Sequence, residues 1–481
     1  MTAIQAEESR PLCVDLDGTL TRTDTLYELL MLLVKFRFHM LFMLPFWVLK
    51  GKAHLKSKLS EKLSLNPELL PYNQGVLDFL NDAYSKGRKI WLCTGCHQKQ
   101  AQKIADYLGL FEGVIATTDT ENITGSRKAK LLVEKFGDKQ FDYIGNHDID
   151  IKVWDHSDKV LVAGEQKFIN RMMKKYGEIQ AFPVPTPKLK TYIKAIRVHQ
   201  WVKNALIFVP LCLDFQLATP DMAIKAVLGF FAFSLLASAT YIINDLLDLE
   251  ADRAHHKKKY RAFAAADISI KTAIMMFVVL SISAIAITAV LPTLFWLVAL
   301  VYLVTTLAYS FHVKSMVILD TCILAGLFTI RVIGGTVVIW AEWSFWLLAF
   351  SMFFFLSLAF TKRASELNAL IVSGKTSAKG RGYITSDAPL VTAMGVSSGY
   401  IGVLVIALYI NSDKVKSNYA TPEILWLICP LLLYWIGRIW LKTVRGEMNE
   451  DPIVFAIKDK ISHITALMCA LVVISASAFG A

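Results

Sequence analysis

Apolar residues fall into two kinds of run. Up to about residue 185 the runs are short and end in polar turns; beyond it they are long enough to cross a bilayer. "PLCVDLDGTL", "RKIWLCTG" and "FDYIGN" each read as an apolar strand followed by a polar, glycine-containing turn. Between them, "GVLDFLNDAYSKG", "QKQAQKIADYLG" and "KAKLLVEKFG" have helical spacing. This alternation predicts a mainly parallel sheet covered by helices, with ligands at the carboxyl ends of the strands, where all three turns lie.

One insert breaks the rhythm. "LYELLMLLVKFRFHMLFMLPFWVLKGK" is long and apolar, yet Lys35, Arg37 and His39 fall in its middle, which a true span rarely tolerates. Two readings stand: a helical cap packed over the site, or a cap that also rests on the bilayer surface. "FPVPTPK" then reads as an extended linker, and "KLKTYIKAIRVHQWVKN" as a basic interfacial helix. Nine apolar segments follow, near 204–218, 222–243, 268–291, 293–310, 318–340, 343–360, 388–410, 422–441 and 461–479. The expected layout is an α/β domain over 1–180 with its cap at about 25–75, a linker and interfacial helix over 181–203, and an all-α membrane bundle of nine transmembrane helices over 204–481.

The loops around 244–267, 311–317, 361–387 and 438–460 hold nearly all the basic residues between spans; the opposite loops carry only Lys414 and Lys416. That bias places the first set of loops, and the N-terminal domain, in the cytosol. "MTAIQAEESR" lacks the basic start and apolar core of a signal peptide, which agrees. The mean hydropathy of +0.45 suits an integral membrane protein, and the net charge of +11 points to anionic lipid and phosphate rather than nucleic acid. Cys93 and Cys96 form a C-x-x-C with no second cysteine pair, so a redox or zinc role is the weaker reading.

The strongest chemical signal is "NDLLDLEADR" at the end of the second apolar segment. Asn244, Asp248 and Asp252 are spaced by four and share a helical face, with Asp245 about one turn from Asp248. Carboxylates repel a diphosphate, but Mg²⁺ between them reverses the sign. The adjacent "RAHHKKKYR" supplies cations for outer phosphate oxygens. Arg331 lies within the fifth span and Asp320 eleven residues before it, either at an anion site or as a structural ion pair. Lys314, and Lys362 with Arg363 and Glu366, sit at other cytosolic span ends.

Residues 190–481 resemble the UbiA superfamily of membrane prenyltransferases, all-helical enzymes in which Mg²⁺ and acidic motifs bind the donor diphosphate. The quinone-type members carry a second D-x-x-x-D, where this chain has only Asp320. "RVHQWVKNALIF", "YSFHVKSMVILD", "IRVIGG", "FTKRASEL" and "GEMNEDPIVFAIKD" resemble the branch that makes polyprenyl-phosphoryl phosphoribose. The resemblance implies a bacterial inner-membrane enzyme whose donor is phosphoribosyl diphosphate and whose acceptor is a polyprenyl phosphate. In it Asn244, Asp245, Asp248 and Asp252 hold the metal, with Asp320 joining them or positioning the sugar. Lys203, Arg253, Lys258, Lys314, Arg331 and Lys362 are candidate phosphate contacts.

Residues 10–165, through "VDLDGTL", resemble the haloacid dehalogenase-like phosphatases. The resemblance implies that Asp15 attacks phosphorus and Asp17 acts as acid and base, and that both help hold Mg²⁺. Thr94 holds the phosphoryl group and Lys128, with Lys130 as rival, neutralises its charge. In "GNHDID", Asn146 replaces the usual first acid, leaving Asp150 as metal ligand and Asp148 nearby. The expected function is phosphoribosyl transfer to lipid followed by removal of the 5-phosphate. Alternatives are a prenyltransferase joining an isoprenyl diphosphate to an aromatic acceptor such as 4-hydroxybenzoate, a degenerate regulatory phosphatase domain, and a non-catalytic membrane scaffold or carrier.

Overall fold

The computed structural model describes residues 10–213, 219–377, 381–413, 415, 419–448 and 451–478. Lys414 and Lys416 of the sequence reading lie outside them. The chain divides into two compact units: Met1–Arg197 with Tyr241–Val278, and Val198–Thr240 with Val279–Ala481.

The first unit is built on six strands: β1 (Leu12–Val14), β2 (Ile90–His97), β3 (Gly113–Thr117), β4 (Asp142–Gly145), β5 (Val160–Gly164) and β6 (Gln180–Pro183). All pair in parallel, in the order β3-β2-β1-β4-β5-β6. The order reverses between β1 and β4, so the crevice beyond their carboxyl ends is the expected ligand site. Leu12, Cys13 and Val14 are wholly buried, as a strand covered by helices on both faces requires. The three expected helices are Gln74–Ser85, Gln98–Leu108 and Ser126–Phe136. Proline-bearing β6 is an edge strand, where the lost donor costs little.

The insert folds as helix Thr25–Phe36, a 3-10 run Phe38–Met43, and helices Leu44–Leu49 and Lys52–Lys62. Asp24 caps the first helix through the Leu26 amide. Leu29, Leu32, Leu33, Trp47, Leu55 and Leu59 form its own small core.

Eight helices among the described residues are long and apolar enough to span a membrane: Pro220–Leu247, Ile270–Ala289, Thr293–Phe311, Leu319–Val338, Phe345–Val372, Thr385–Ile410, Pro422–Val444 and Lys460–Ser477. The segment 204–218, read as a ninth span, departs from that expectation. It opens in a 3-10 run, Val198–Phe208, followed by the short helix Val209–Leu213, and 214–218 lie outside the described residues. Two features go with the break. Arg197 has φ +54, and the run packs so closely on helix Leu319–Val338 that a Cβ on Gly335 would collide with the Ile207 carbonyl. In the second unit Leu319–Val338 is the enclosed span, with 61% of its apolar window buried against 17% for Thr293–Phe311.

Candidate functional site

In the first unit β1 delivers Asp15 to the switch point, where its amide donates to the Ile144 carbonyl at the end of β4. Lys128, buried on helix Ser126–Phe136, donates to Asp15 Oδ1 at 2.9 Å and to the Tyr143 hydroxyl at 2.8 Å. Its Nζ stands 3.9 Å from Asp150 Oδ1. Lys130 faces outward toward Glu134, so the geometry separates the two rival lysines. Tyr143 donates to Asp150 Oδ1, and the Asn146 and His147 amides donate to Asp150 Oδ2. Asp148 instead pairs with Arg171 at the surface. Asn146 Oδ1 accepts from the Thr19 hydroxyl, and Gly18, at φ +75, lies flat against the Asn146 amide.

Asp17 accepts from the Thr25 amide at 2.7 Å, tying the turn after β1 to the first residue of the insert's first helix. Burial, then the Asp24 charge, raises its carboxyl to about 7. Burial also raises Asp15 to about 6, against the pull of Lys128. Thr94 closes its own turn by accepting the Cys96 amide at 3.0 Å. The buried Cys96 thiol is pushed up by desolvation, which disfavours the thiolate that redox or metal chemistry needs. From the cap, Lys56 donates to the Gly95 carbonyl at 2.6 Å and to Asn122 at 3.0 Å. A cleft of about 320 Å³ lined by Gly18, Arg22, Asn146, Glu165 and Phe168 opens beside this site. Arg22 and Lys56 carry no sequence signal, because the fold alone brings them there.

The acidic loop also belongs to the first unit. Helix Pro220–Leu247 ends just before Asp248, and Leu249–Arg253 resumes after it. The four-residue ladder survives the break: the Asp248 amide donates to the Asn244 carbonyl and the Asp252 amide to the Asp248 carbonyl. Asp245 and Asp252 converge on Arg261 Nη1 at 3.1 and 2.7 Å, and Arg197 also grips Asp245. Asp248 pairs with Lys35 of the insert at 3.8 Å. The Asn244 side-chain oxygen is buried with no hydrogen-bond partner. An orphaned oxygen and two convergent carboxylates in the same loop are the donor types a hard cation takes, although no three acidic, histidine or cysteine side chains are gathered at metal-binding distance among the described residues. Arg253, a candidate phosphate contact, is taken by Glu28 in a buried two-pronged pair (2.6 and 3.1 Å) and by the Ala264 carbonyl. Lys258 is exposed on the turn Lys258–Tyr260.

In the second unit Arg331 bonds Asn204 Oδ1 at 2.7 Å, the Tyr302 hydroxyl at 3.2 Å and the Leu327 carbonyl. Asp320 is not its partner. Wholly buried Asp320 accepts from Arg363 Nε at 2.6 Å and from the Tyr383 hydroxyl at 2.9 Å, so both its oxygens are engaged. Arg363 reaches Glu366 and the Tyr309 hydroxyl too. Lys203 pairs with Asp451, and Lys362 lies within the field of both. Lys203 and Arg331 both stand within 5.9 Å of the Phe328 ring. Lys314 sits on the turn Val313–Ser315, where its carbonyl accepts from Arg381.

The UbiA prenyltransferase family matches residues 207–457, just over half the chain and the stretch that holds the acidic loop, Asp320 and Arg331. The chain belongs to the UbiA prenyltransferase family. Uncharacterized protein y4nM of Sinorhizobium fredii is 38% identical over 94% of this chain and 88% of its own length, so the similarity takes in most of the N-terminal sheet. Decaprenyl-phosphate phosphoribosyltransferase of Mycolicibacterium smegmatis is 36% identical over 57% of this chain and 88% of that protein. A UbiA homolog from Archaeoglobus fulgidus, solved with DMAPP and Mg²⁺, aligns with 60% of this chain and all of its own at 17% identity and a TM-score of 0.45. With eight long apolar helices among its described residues, this UbiA-family chain is an integral membrane protein.

Proposed function

We propose that the chain transfers phosphoribose from phosphoribosyl diphosphate to a polyprenyl phosphate, and that its N-terminal domain, a phosphatase of the haloacid dehalogenase type over 1–180, then removes the 5-phosphate. Asp320 carries the choice of donor. Both its oxygens are committed to Arg363 and Tyr383, so the position that would complete a second metal-binding acid pair serves to hold an arginine. Lys203, Lys362 and Arg331 add cations to the second unit, which suits a donor with one more phosphate than an isoprenyl diphosphate. The similarity to decaprenyl-phosphate phosphoribosyltransferases supports the same reading.

Asn244, Asp245, Asp248 and Asp252 would hold Mg²⁺, which when bound offsets the charge of the departing diphosphate. Arg197 and Arg261 neutralise Asp245 and Asp252 until substrate arrives. The basic residues orient the phosphates so that the lipid phosphate oxygen faces ribose C1, and the bond to diphosphate breaks as the new C–O bond forms. In the phosphatase Asp15 attacks the 5-phosphate while Asp17 gives its proton to the leaving oxygen; Asp17 then takes a proton from the water that frees Asp15. Lys128 balances charge, Thr94 holds the phosphoryl group, and Asp150 with Asp15 would hold the domain's own Mg²⁺.

Labelled phosphoribosyl diphosphate incubated with polyprenyl phosphate and the protein in detergent tests the transferase. Label is expected in the lipid extract and absent with Asp248→Asn. Prenylated 4-hydroxybenzoate from an isoprenyl diphosphate, with no labelled lipid, would establish the rival prenyltransferase instead.

A further inference from the structure

The insert of the first unit carries a surface that an ordinary water-facing cap would not keep. Between the core helix Thr25–Phe36 and helix Lys52–Lys62, the segment 36–49 packs inward through Trp47, which is 6% exposed, and presents Phe36, Phe38, Phe42, Phe46, Val48 and Leu49 outward. Phe42 is 78% exposed and Leu49 83%. A short helical segment that is apolar on both its inner and outer sides needs a second apolar environment, and a contiguous patch of this kind marks an interaction site.

Two observations select the bilayer as its occupant. First, no Asp or Glu occurs between Glu28 and Glu61, while Lys35, Arg37, Lys50 and Lys52 bracket the patch. An apolar face rimmed only by cations matches the boundary between acyl chains and anionic headgroups. Second, the patch begins where the cap helix meets the end of a membrane span. Lys35 pairs with Asp248, the residue directly after span Pro220–Leu247, and Glu28, two turns earlier, is locked to Arg253 of the same loop. Both contacts lie within the first unit, and they join the helix that leads into the patch to the loop that directly follows a membrane span.

We propose that residues 36–49 are seated in the bilayer leaflet on the side of the acidic loop, with the aromatic and aliphatic side chains among the acyl chains and the flanking Lys and Arg on anionic headgroups. The helix Thr25–Phe36 then ties this seat to the Asp15–Asp17 site. Its first residue holds Asp17, and its last turn carries Lys35, roughly 15 Å away at 1.5 Å per residue. On the phosphatase reading above, on which this step rests, a site fixed at that depth takes phosphate monoesters borne on lipids of the leaflet in preference to free sugar phosphates.

The full chain in nanodiscs containing anionic lipid tests both parts. In a parent with Cys212, Cys322 and Cys469 changed to serine, spin labels are placed singly at 42, 46 and 49, and as controls at 84 and 107 on the same unit. The seat predicts that labels at 42, 46 and 49 collide with oxygen and are shielded from a water-soluble nickel chelate, and that the controls show the reverse. Labels at 42, 46 and 49 as open to the chelate as the controls would overturn it. Shielding from both reagents would overturn it too, in favour of a second protein copy on this face. For the substrate class, the triple variant Phe42→Asp, Phe46→Asp, Leu49→Asp is expected to hydrolyse synthetic polyprenyl-phosphoryl ribose 5-phosphate at least tenfold more slowly than the parent, and ribose 5-phosphate at an unchanged rate. Equal effects on the two substrates would reject the lipid preference. A parent inactive on both would reject the phosphatase reading while leaving the label result to decide the seat.

Discussion

Asp15 and Asp17 stand two residues apart, yet their settings divide the labour. On the proposed phosphatase reading, Lys128 favours the ionised form of Asp15, as a nucleophile needs, and burial with Asp24 nearby favours the protonated form of Asp17, as an acid needs. Hydrolysis of ribose 5-phosphate should therefore rise with pH through about 6, as Asp15 ionises, and fall through about 7, as Asp17 loses its proton. More Mg²⁺ should move the rising limb to lower pH, because a cation favours the carboxylate. Asp17→Asn should lower the rate by about 10²–10⁴-fold and abolish the falling limb; a pH–rate profile of each protein checks this. A second residue-scale test concerns Asp320 and Arg363, a pair without solvent to relieve a lone charge. Arg363→Met should cost about 3–5 kcal/mol of stability in detergent, and Asp320→Asn combined with it should recover part of that loss, as read by thermal melting.

Elements were legible where a period or a turn signature exists, and side-chain partners were not. The strand runs, the three covering helices and most long apolar segments follow from periodicity alone. The break at Arg197 and the 3-10 run after it do not, since "RVHQWVKNALIF" carries no proline or glycine to announce them. Within the acidic loop, spacing gave the ladder of Asn244, Asp248 and Asp252. It could not reveal that Asp245 and Asp252 share Arg261 while Asp248 pairs with Lys35 of the insert, because spacing along a helix does not say which cations pack against it. The pairing of Asp320 with Arg363 in place of Arg331 has the same origin: helical phase puts two residues on one side of a helix without naming their neighbours. One element-scale consequence is testable. Gly335 lets helix Leu319–Val338 approach the Val198–Phe208 run, which carries Lys203 and Asn204. Gly335→Ala should push the run away, break the Arg331–Asn204 bond and cut transferase kcat tenfold or more. Hydrolysis of ribose 5-phosphate by the same variant should stay at the parental rate.

At the scale of the molecule, the UbiA family portion accounts for about half the chain, and the similarity to y4nM runs well beyond it. On the proposed reading, a phosphatase site joined in one chain to a lipid-modifying bundle makes chemical sense if the second acts before the first: the transferase would create a 5-phosphate on a lipid, and a phosphate monoester anchored in the membrane is what a tethered phosphatase would meet at high effective concentration. The order of the two steps then predicts different lipids from two single substitutions. With phosphoribosyl diphosphate labelled in its ribose, the parent should give mainly polyprenyl-phosphoryl ribose. Asp15→Asn, which removes the attacking carboxylate but not the transferase residues, should accumulate labelled polyprenyl-phosphoryl ribose 5-phosphate at an undiminished initial rate. Asp248→Asn should yield neither lipid, and should still dephosphorylate the synthetic intermediate when it is supplied in the bilayer. If Asp15→Asn and the parent gave the same ratio of the two lipids by mass spectrometry, the N-terminal domain would have no part in processing the product. The transferase assignment would stand on its own acidic loop, and the fused domain would have to be read as a regulator instead.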